Sequence, residues 1–586
     1  MKKLILSNLS KFDISDMDNV YLGPWCFLKK KKFDEFLDGK GFNSSLFSNY
    51  NRNDCKYLID LSEKLLIILS EKFNEIYDTK FSVDYWRTLI SMPIILFVQG
   101  MYEKSKILDE HKDKKFFVEI ISKNSIPAFK TTRDIRKFLN SNLGHHILCS
   151  LIVKNNKNYK FSEIEIKKKI TKTNKLLDFI QYAEILINLI ISYFTNVVIF
   201  KIKSINIFDK IKIRSKKRTS FNKDELINIK KNIQSIKKIN LKKNNIKLLD
   251  SQQNDYLFNL IAENIIFFLP EYMFKKFKER NRINFLLVRS FRLYQKKIII
   301  GPVLGGYDKF KFILAILKNI KIPINVYQHG GYYGTAESFT LMAYAEYYIS
   351  DRFISWGWSH HSKYKVNTIK LPNPFISKLI NKKKILKKLS NNKLLYISTE
   401  APLYGTNIGT VPHPYQFEKF NNDKLNILKF LNNMSYEVYF RPYFNSELIN
   451  DELNYIKNKY KNIKIYIDDI DKNLTNFDLI ILDHPSTLMN YCLGANLPVR
   501  IFLNEELWNF TDKFNDIYTS LIENKIIFNS FAHFKNNILS INKNNELISK
   551  HENNNDAIKY YSNQYARHSN TWRDDWIEFS KNINKN

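Results

Sequence analysis

A chain of 586 residues is too long for one ordinary core and calls for two or more domains. With 44% hydrophobic and 15% aromatic residues it has ample material to bury, which excludes a largely disordered protein. Lys and Arg number 92 against 58 acidic residues, a formal net charge of +34, yet only 15 of the basic residues are Arg. Bidentate reading of phosphates or base edges favours Arg, so this dispersed, Lys-dominated excess argues against specific nucleic-acid binding.

Residues 1–200 read as a helix-rich N-terminal region. The opening MKKLILSNLSKFD has an apolar run of only about four residues, too short for a secretory leader, which points to the cytoplasm. LIDLSEKLLIILSEKFNEIY, from Leu58, repeats apolar residues at three and four, as a helix does. His145 and His146 in SNLGHHILCS fit a capped helix start with partly buried imidazoles better than a metal site. Cys26, Cys55, Cys149 and Cys492 lie far apart with no CxxC pair, against both a structural zinc and a disulfide framework. From Leu176 to Phe200, Asp178, Gln181, Glu184 and Asn188 interrupt the apolar run at spacings that suit an amphipathic helix better than a bilayer span. Residues 201–250 then carry sixteen Lys or Arg against four acidic residues. They read as a solvated basic insertion or linker, or as a polybasic surface for an anionic membrane at its inner face.

Beyond Ser251 short β-rich runs alternate with helical ones, as in KKIIIGPV, PINVYQHGG, DRFISWG, KLLYISTE, YEVYFRPYF and FDLIILDHPST. Such alternation predicts α/β units with parallel sheets and right-handed crossovers. Pro372 and Pro374, followed by a basic helix-like run, place a boundary near residues 375–392, with one unit over 251–380 and a second over 390–555. YYSNQYARHSNTWRDDWIEFSK, within a terminal segment 556–586, reads as a helix docked by Trp572 and Trp576.

Glycine is scarce, 15 of 586, yet residues 301–500 hold 10 of these glycines and 10 of the 14 prolines. Demanding backbone is therefore concentrated there. Four loops in that window follow predicted strands: Gln328-His329-Gly330-Gly331 through Gly334, Ser398-Thr399-Glu400, Arg441-Pro442-Tyr443, and Asp483-His484-Pro485-Ser486-Thr487. Ligands of open α/β sheets bind at the carboxyl ends of strands, so all four could face one crevice.

Ser486 and Thr487 would open a helix whose free amides attract phosphate, although taken alone an ordinary N-cap with Pro485 in the first turn explains them better. Arg441 adds a fork for a phosphate or carboxylate. His329, beside Gly330, Gly331 and Gly334, is a candidate general base for a hydroxyl; the alternative is a histidine that only holds its turn. Glu400 and Glu337 are further candidates for the base or a ribose contact. Asp468-Asp469-Ile470-Asp471 reads as a solvated acidic turn, and His360 and His361 as loop residues, so no metal is expected.

QHGGYYGTAESF, DRFISWGWS and LDHPSTLMNYCLGANLPV, together with YLGPWCF and DYWRTLI near the start, resemble a family of transferases encoded in bacterial O-antigen and surface-carbohydrate loci, over most of the chain. More distantly, the QHG loop and the Ser/Thr helix start are similar to GT-B enzymes with cytidine-linked donors: Kdo transferases, bacterial sialyltransferases and teichoic-acid polymerases.

That resemblance implies an α/β, GT-B-like fold of two facing Rossmann-like domains. Residues 251–380 would complete the acceptor side, residues 390–555 would bind the donor, and the terminal helix would cross back. It further implies a metal-independent glycosyltransferase acting on lipopolysaccharide or another surface glycan. The donor would be a nucleotide sugar, CMP-linked in the favoured reading and with a nonulosonic acid as the candidate sugar, and the acceptor a glycan or lipid-linked saccharide. His329 and Glu400 would be catalytic. Arg441, His484, Ser486 and Thr487 would bind the donor, and Gln328, Gly330, Gly331 and Gly334 would form an acceptor or phosphate loop. In those enzymes the HP and Ser/Thr elements are well separated, whereas here they adjoin, leaving open whether Arg441-Pro442 takes the HP position. The alternatives are a CDP-polyol phosphotransferase and a non-catalytic basic protein acting through residues 201–250.

Overall fold

A computed structural model describes residues 2–12, 19–27, 52–111, 113–166, 175–216, 218–219, 221–237, 243–249, 251–337, 339–359, 366–385, 392–400, 402–404, 412, 414–444, 448–543 and 556–582. His360 and His361 lie outside them, as does part of the expected boundary 375–392.

Among the described residues three wholly parallel sheets organise the fold. The first has β1 (Lys2–Ile5), β2 (Val20–Tyr21), β3 (Phe116–Ile121) and β4 (Tyr159–Ile164), in the order β2-β1-β3-β4. Between β2 and β3 the chain forms the long helices α1 (Arg52–Tyr77) and α2 (Val83–Asp109). Of the 27 residues of α2, 21 are buried. A helix apolar all round has no solvent face, and α2 lies between the helices of the first sheet and those of the second. The N-terminal region is thus helix-rich but also carries a sheet of its own, which its helical periodicity concealed.

His145 and His146 are fully buried: His146 joins Ser7 Oγ at 2.8 Å and the Glu119 carbonyl at 2.9 Å, and His145 reaches the Leu6 carbonyl at 3.1 Å. Burial pushes the His146 imidazole down to about 4.

Helix α3 (Lys175–Thr195) leads into β5 (Val197–Phe200), the edge strand of the second sheet, and helix α4 (Ile207–Lys212) follows. The basic stretch 201–250 is not a detached insertion, since Ile202, Ile205, Ile213, Ile229 and Ile233 are all buried. β6 (Lys297–Ile300), β7 (Ile324–Tyr327), β8 (Arg352–Ser355) and β9 (Thr368–Lys370) complete the order β5-β6-β7-β8-β9, with α5 (Asp308–Asn319) after β6 and α6 (Phe339–Ile349) after β7. Runs such as VVIF, KIII and INVY are buried at every position, as strands covered on both faces must be.

The third sheet holds β10 (Lys393–Ile397), β11 (Glu437–Arg441), β12 (Ile463–Ile465), β13 (Leu479–Leu482), β14 (Val499–Phe502) and β15 (Ile527–Phe528), in the order β12-β11-β10-β13-β14-β15. The chain leaves β10 toward β11 on one side and later returns to β13 on the other, so the topological switch lies between β10 and β13. Helix α7 (Thr487–Gly494) starts directly beyond β13. The terminal helix α8 (Trp572–Asn582) packs against the second sheet: Trp572 and Trp576 are buried among Val197, Ile199, Tyr327 and Trp356, and Trp576 Nε1 donates to the Pro372 carbonyl at 3.1 Å. Lys297, buried in β6, donates to the Ser580 and Lys581 carbonyls at the C-terminal end of α8, where a cation is favoured. Two Rossmann-like lobes and a returning terminal helix make a GT-B-like α/β fold.

Removing the Trp576 side chain leaves a large void in this junction, so Trp576→Ala should cost about 3–5 kcal/mol in urea unfolding and open the terminal helix to proteolysis.

Candidate active site

The turn after β7 and the start of α7 meet across the two lobes. Gly331 N donates to Thr487 Oγ1 at 3.1 Å. A Cβ on Gly331 would stand 2.3 Å from Asn490 Oδ1 and 2.5 Å from the Ser486 carbonyl carbon, so no other residue permits this approach. Gly334 adopts φ +77°, and its carbonyl accepts from Thr511 Oγ1 at 3.0 Å. Ala336 pairs with Phe510 as an isolated antiparallel bridge, which gives the turn a second hold on the C-terminal lobe.

Gln328, fully buried, braces this turn. Its Nε2 donates to the Gly330 carbonyl at 2.7 Å, and its Oε1 accepts from Trp356 N at 3.0 Å and Trp358 Nε1 at 2.8 Å. It shapes the loop, its amide being spent on protein partners.

His329 is exposed, with its Nδ1 2.7 Å from Tyr333 Oη. Tyr333 is buried and donates to Glu346 Oε2. Burial raises the phenol well above its ordinary range, and Glu346 raises it further, so Tyr333 keeps its proton. A phenol has one proton; with that proton directed at Glu346, the 2.7 Å contact requires His329 Nδ1 to be the donor. In the neutral imidazole this leaves the lone pair on Nε2, which makes no hydrogen bond among the described residues.

His484 is held in the same way from the other lobe. Its Nδ1 lies 2.8 Å from Asp483 Oδ1, and Asp483 also accepts from Tyr396 Oη at 2.7 Å, from Ser398 Oγ and from Thr399 N at 3.3 Å. This network closes the ends of β10 and β13, at the switch point. Glu400 follows one residue on, half-buried. Tyr332, from the facing turn, lies close enough to Asp483 for that charge to raise its phenol, after burial. Ser486 caps α7 in extended geometry without using its hydroxyl as a cap, and both Ser486 and Thr487 are half-buried.

Arg441 ends β11 and stands apart. Its Nη1 donates to the carbonyls of Asp468 at 2.7 Å and Tyr466 at 3.4 Å, beyond β12, and its guanidinium lies over Phe444. The His329 turn, Ser486 and Thr487 therefore converge, whereas Arg441 Nη1 is engaged by the carbonyls beyond β12. Asp469, in the acidic turn, caps the short helix Ile470–Asn473. Among the described residues no group of three or more His, Cys, Asp or Glu is arranged to hold a metal.

Sequence reasoning missed Tyr333, Glu346 and Asp483. Tyr333 and Asp483 stand inside motifs already singled out; the one signal at Glu346 is that it is a lone acid in the apolar, aromatic run FTLMAYAEYYI.

A two-lobed parallel α/β protein with supported histidines and a helix start at the lobe junction has the layout of a group-transfer enzyme. The chain belongs to the LIC12162 family of transferases, whose model matches residues 2–579. No curated protein matches it in sequence. Among solved structures it is similar to Acinetobacter baumannii MurG, at 11% identity and a TM-score of 0.28 over 52% of this chain and 78% of that one. It is also similar to the wall teichoic acid polymerase TagF, at 11% identity and a TM-score of 0.30 over 52% of this chain and 84% of that one. Overlap this loose transfers no residue role.

Two glycines separate close approach from open space. Gly331→Ala should destabilise the protein by about 1–3 kcal/mol in urea unfolding. Gly305→Ala, whose Cβ meets nothing within 4 Å, should change stability by well under half of that.

Proposed function

We propose that this transferase is a glycosyltransferase, moving a sugar from a nucleotide-activated donor to a growing surface glycan or lipid-linked saccharide. The observation that carries the reading is the junction itself: His329, with Nε2 left as an acceptor, stands on a turn that touches the helix start bearing Ser486 and Thr487.

In this reading His329 Nε2 takes the proton of the acceptor hydroxyl as its oxygen attacks the anomeric carbon. The bond from that carbon to the phosphate oxygen breaks, and the nucleotide leaves with the electron pair. Ser486, Thr487 and the first amides of α7 stabilise the charge that develops on the phosphate. His484, oriented by Asp483, adds a contact to the leaving nucleotide. Tyr333 and Glu346 act through His329 by fixing its tautomer. Glu400, at the end of β10, is placed for a ribose hydroxyl or as a second candidate base. Arg441 would reach an anion only through guanidinium nitrogens other than Nη1. These assignments need no metal, and a CMP-linked donor, a nonulosonic acid as the sugar and O-antigen as the product remain the favoured specifics. The protein would work at the inner membrane face, where lipid-linked acceptors are found.

Thermal unfolding with CMP, CDP, UDP and GDP tests the donor site: the matching nucleotide at a hundred times its Kd should add about 2.7 kcal/mol of stability. No response to any of the four would remove the donor reading. Release of CMP from CMP-sugars, set against turnover of CDP-glycerol, separates sugar transfer from polyol-phosphate transfer. His329→Ala should lower turnover by about 10²–10⁴-fold with nucleotide affinity retained, and full turnover would dismiss the base. Tyr333→Phe should lower kcat and alter its pH profile with little effect on KM.

A further inference from the structure

Helix α3 turns polar side chains toward the protein beside the buried Ile185 and Leu189. Gln181, Asn188, Ser192 and Thr195 are buried, Lys210 Nζ donates to Asn188 Oδ1 at 2.7 Å, and Thr195 Oγ1 bridges to the Val197 carbonyl at 2.9 Å. Glu184 pairs with Lys201 at 2.7 Å.

Its outer face is apolar. Phe179, Ile187, Ile190, Tyr193 and Phe194 recur at helical spacing on one side, and Phe179 and Phe194 are 71% and 78% exposed. Short helix α4 packs beside α3 and extends the face with Phe208, 76% exposed, and Ile211. Buried Asp209 clamps α4 in place through Lys378 at 2.8 Å and Arg573 at 2.7 Å. Burial alone would raise the Asp209 carboxyl, but these two cations hold it below its usual range. The apolar face is therefore a fixed surface of the fold.

Charge says what covers it. From Lys201 to Arg218 the only acidic residue is Asp209, already buried and paired, while Lys212, Arg214, Lys216 and Arg218 are exposed and Lys203 pairs with Asp471. Exposed aromatic and aliphatic side chains rimmed by cations match the acyl boundary and anionic headgroups of a bilayer surface. A second copy of this chain would bring like charges together. No helix among the described residues is long and apolar enough to cross a membrane, so the face lies on the surface and does not span it.

We infer that α3 and α4 form a monotopic docking face for an anionic phospholipid membrane, in which the apolar side chains insert and the basic rim selects the headgroups. This sharpens the inner-membrane placement proposed above, where the lysine-rich stretch alone had been the candidate. The stretch supplies the rim; the anchor is α3.

The test is co-flotation of the full chain with vesicles of phosphatidylethanolamine and phosphatidylglycerol, or of phosphatidylcholine alone, alongside Ile190→Asp/Phe194→Asp and Lys212→Glu/Lys216→Glu. Wild type should float with the anionic vesicles and at least tenfold less with phosphatidylcholine. The first variant should lose at least tenfold of that binding, and the second several-fold, both with unchanged Tm. Absence of wild-type flotation overturns the inference, as does equal flotation of the Asp variant. A wild-type dimer in sedimentation that the Asp variant dissociates, without vesicle binding, assigns the face to a second copy. A lowered Tm with binding intact assigns it to cover by this chain itself. The nucleotide-induced thermal shift of the Asp variant is read in parallel, so failure of membrane docking is separable from failure of the donor site.

Discussion

The arrangement hangs on one close approach. Where Gly331 meets Ser486 and Asn490, the backbone of one lobe lies against the helix start of the other at a separation that leaves no room for a Cβ. Backbone contact of this kind fixes position far more tightly than two surfaces of long side chains, because there are no rotamers to adjust. It sets the distance between the His329 turn and the end of β13, and with it the shape of the cleft. Gln328 supports it from behind, by tying the turn to the exit of β8 through Trp356 and Trp358.

On both sides of that contact the same device recurs. His329 is held by Tyr333 and through it by Glu346, and His484 is held by Asp483. In each case a carboxylate orders the Nδ1 side of an imidazole and leaves Nε2 for other work. Orientation of this sort gives a neutral imidazole a defined proton-accepting atom. Asp483 joins this role to a structural one, since its remaining bonds to Tyr396, Ser398 and Thr399 knit the switch point of the C-terminal sheet.

The outer surface of the N-terminal lobe shows a different constraint. Ordinary surface helices bury apolar side chains and expose polar ones, whereas α3 buries Gln181, Asn188 and Ser192 beside Ile185 and Leu189 and exposes Phe179, Ile190, Tyr193 and Phe194, while remaining hydrogen-bonded to its own lobe. Its sequence alone could not reveal this, because the periodicity of an amphipathic helix is the same whichever face points inward. Asp178, Gln181, Glu184 and Asn188 read as the polar positions of an amphipathic helix; only the burial of Gln181 and Asn188, with Lys210 reaching in to Asn188, showed which way they face.

Local pattern was enough for much of the rest. Alternating β-rich and helical runs announced the parallel α/β lobes, and the crowding of glycine and proline in residues 301–500 pointed to the loops that meet at the cleft. The parallel sheet near the N-terminus escaped notice because β1 and β2 are too short for a period to register and their partner β3 lies about a hundred residues away. Arg441 was legible as a fork at a strand end, but its direction is a matter of what stands beside it, here the carbonyls beyond β12. Residue type and spacing thus determined which elements form and which loops carry chemistry, because those follow from backbone and near-neighbour preferences. Which side chains share a cleft, which histidine atom is left open and which face of a helix meets solvent were decided by contacts between residues far apart in the chain, and those exist only once the lobes have packed.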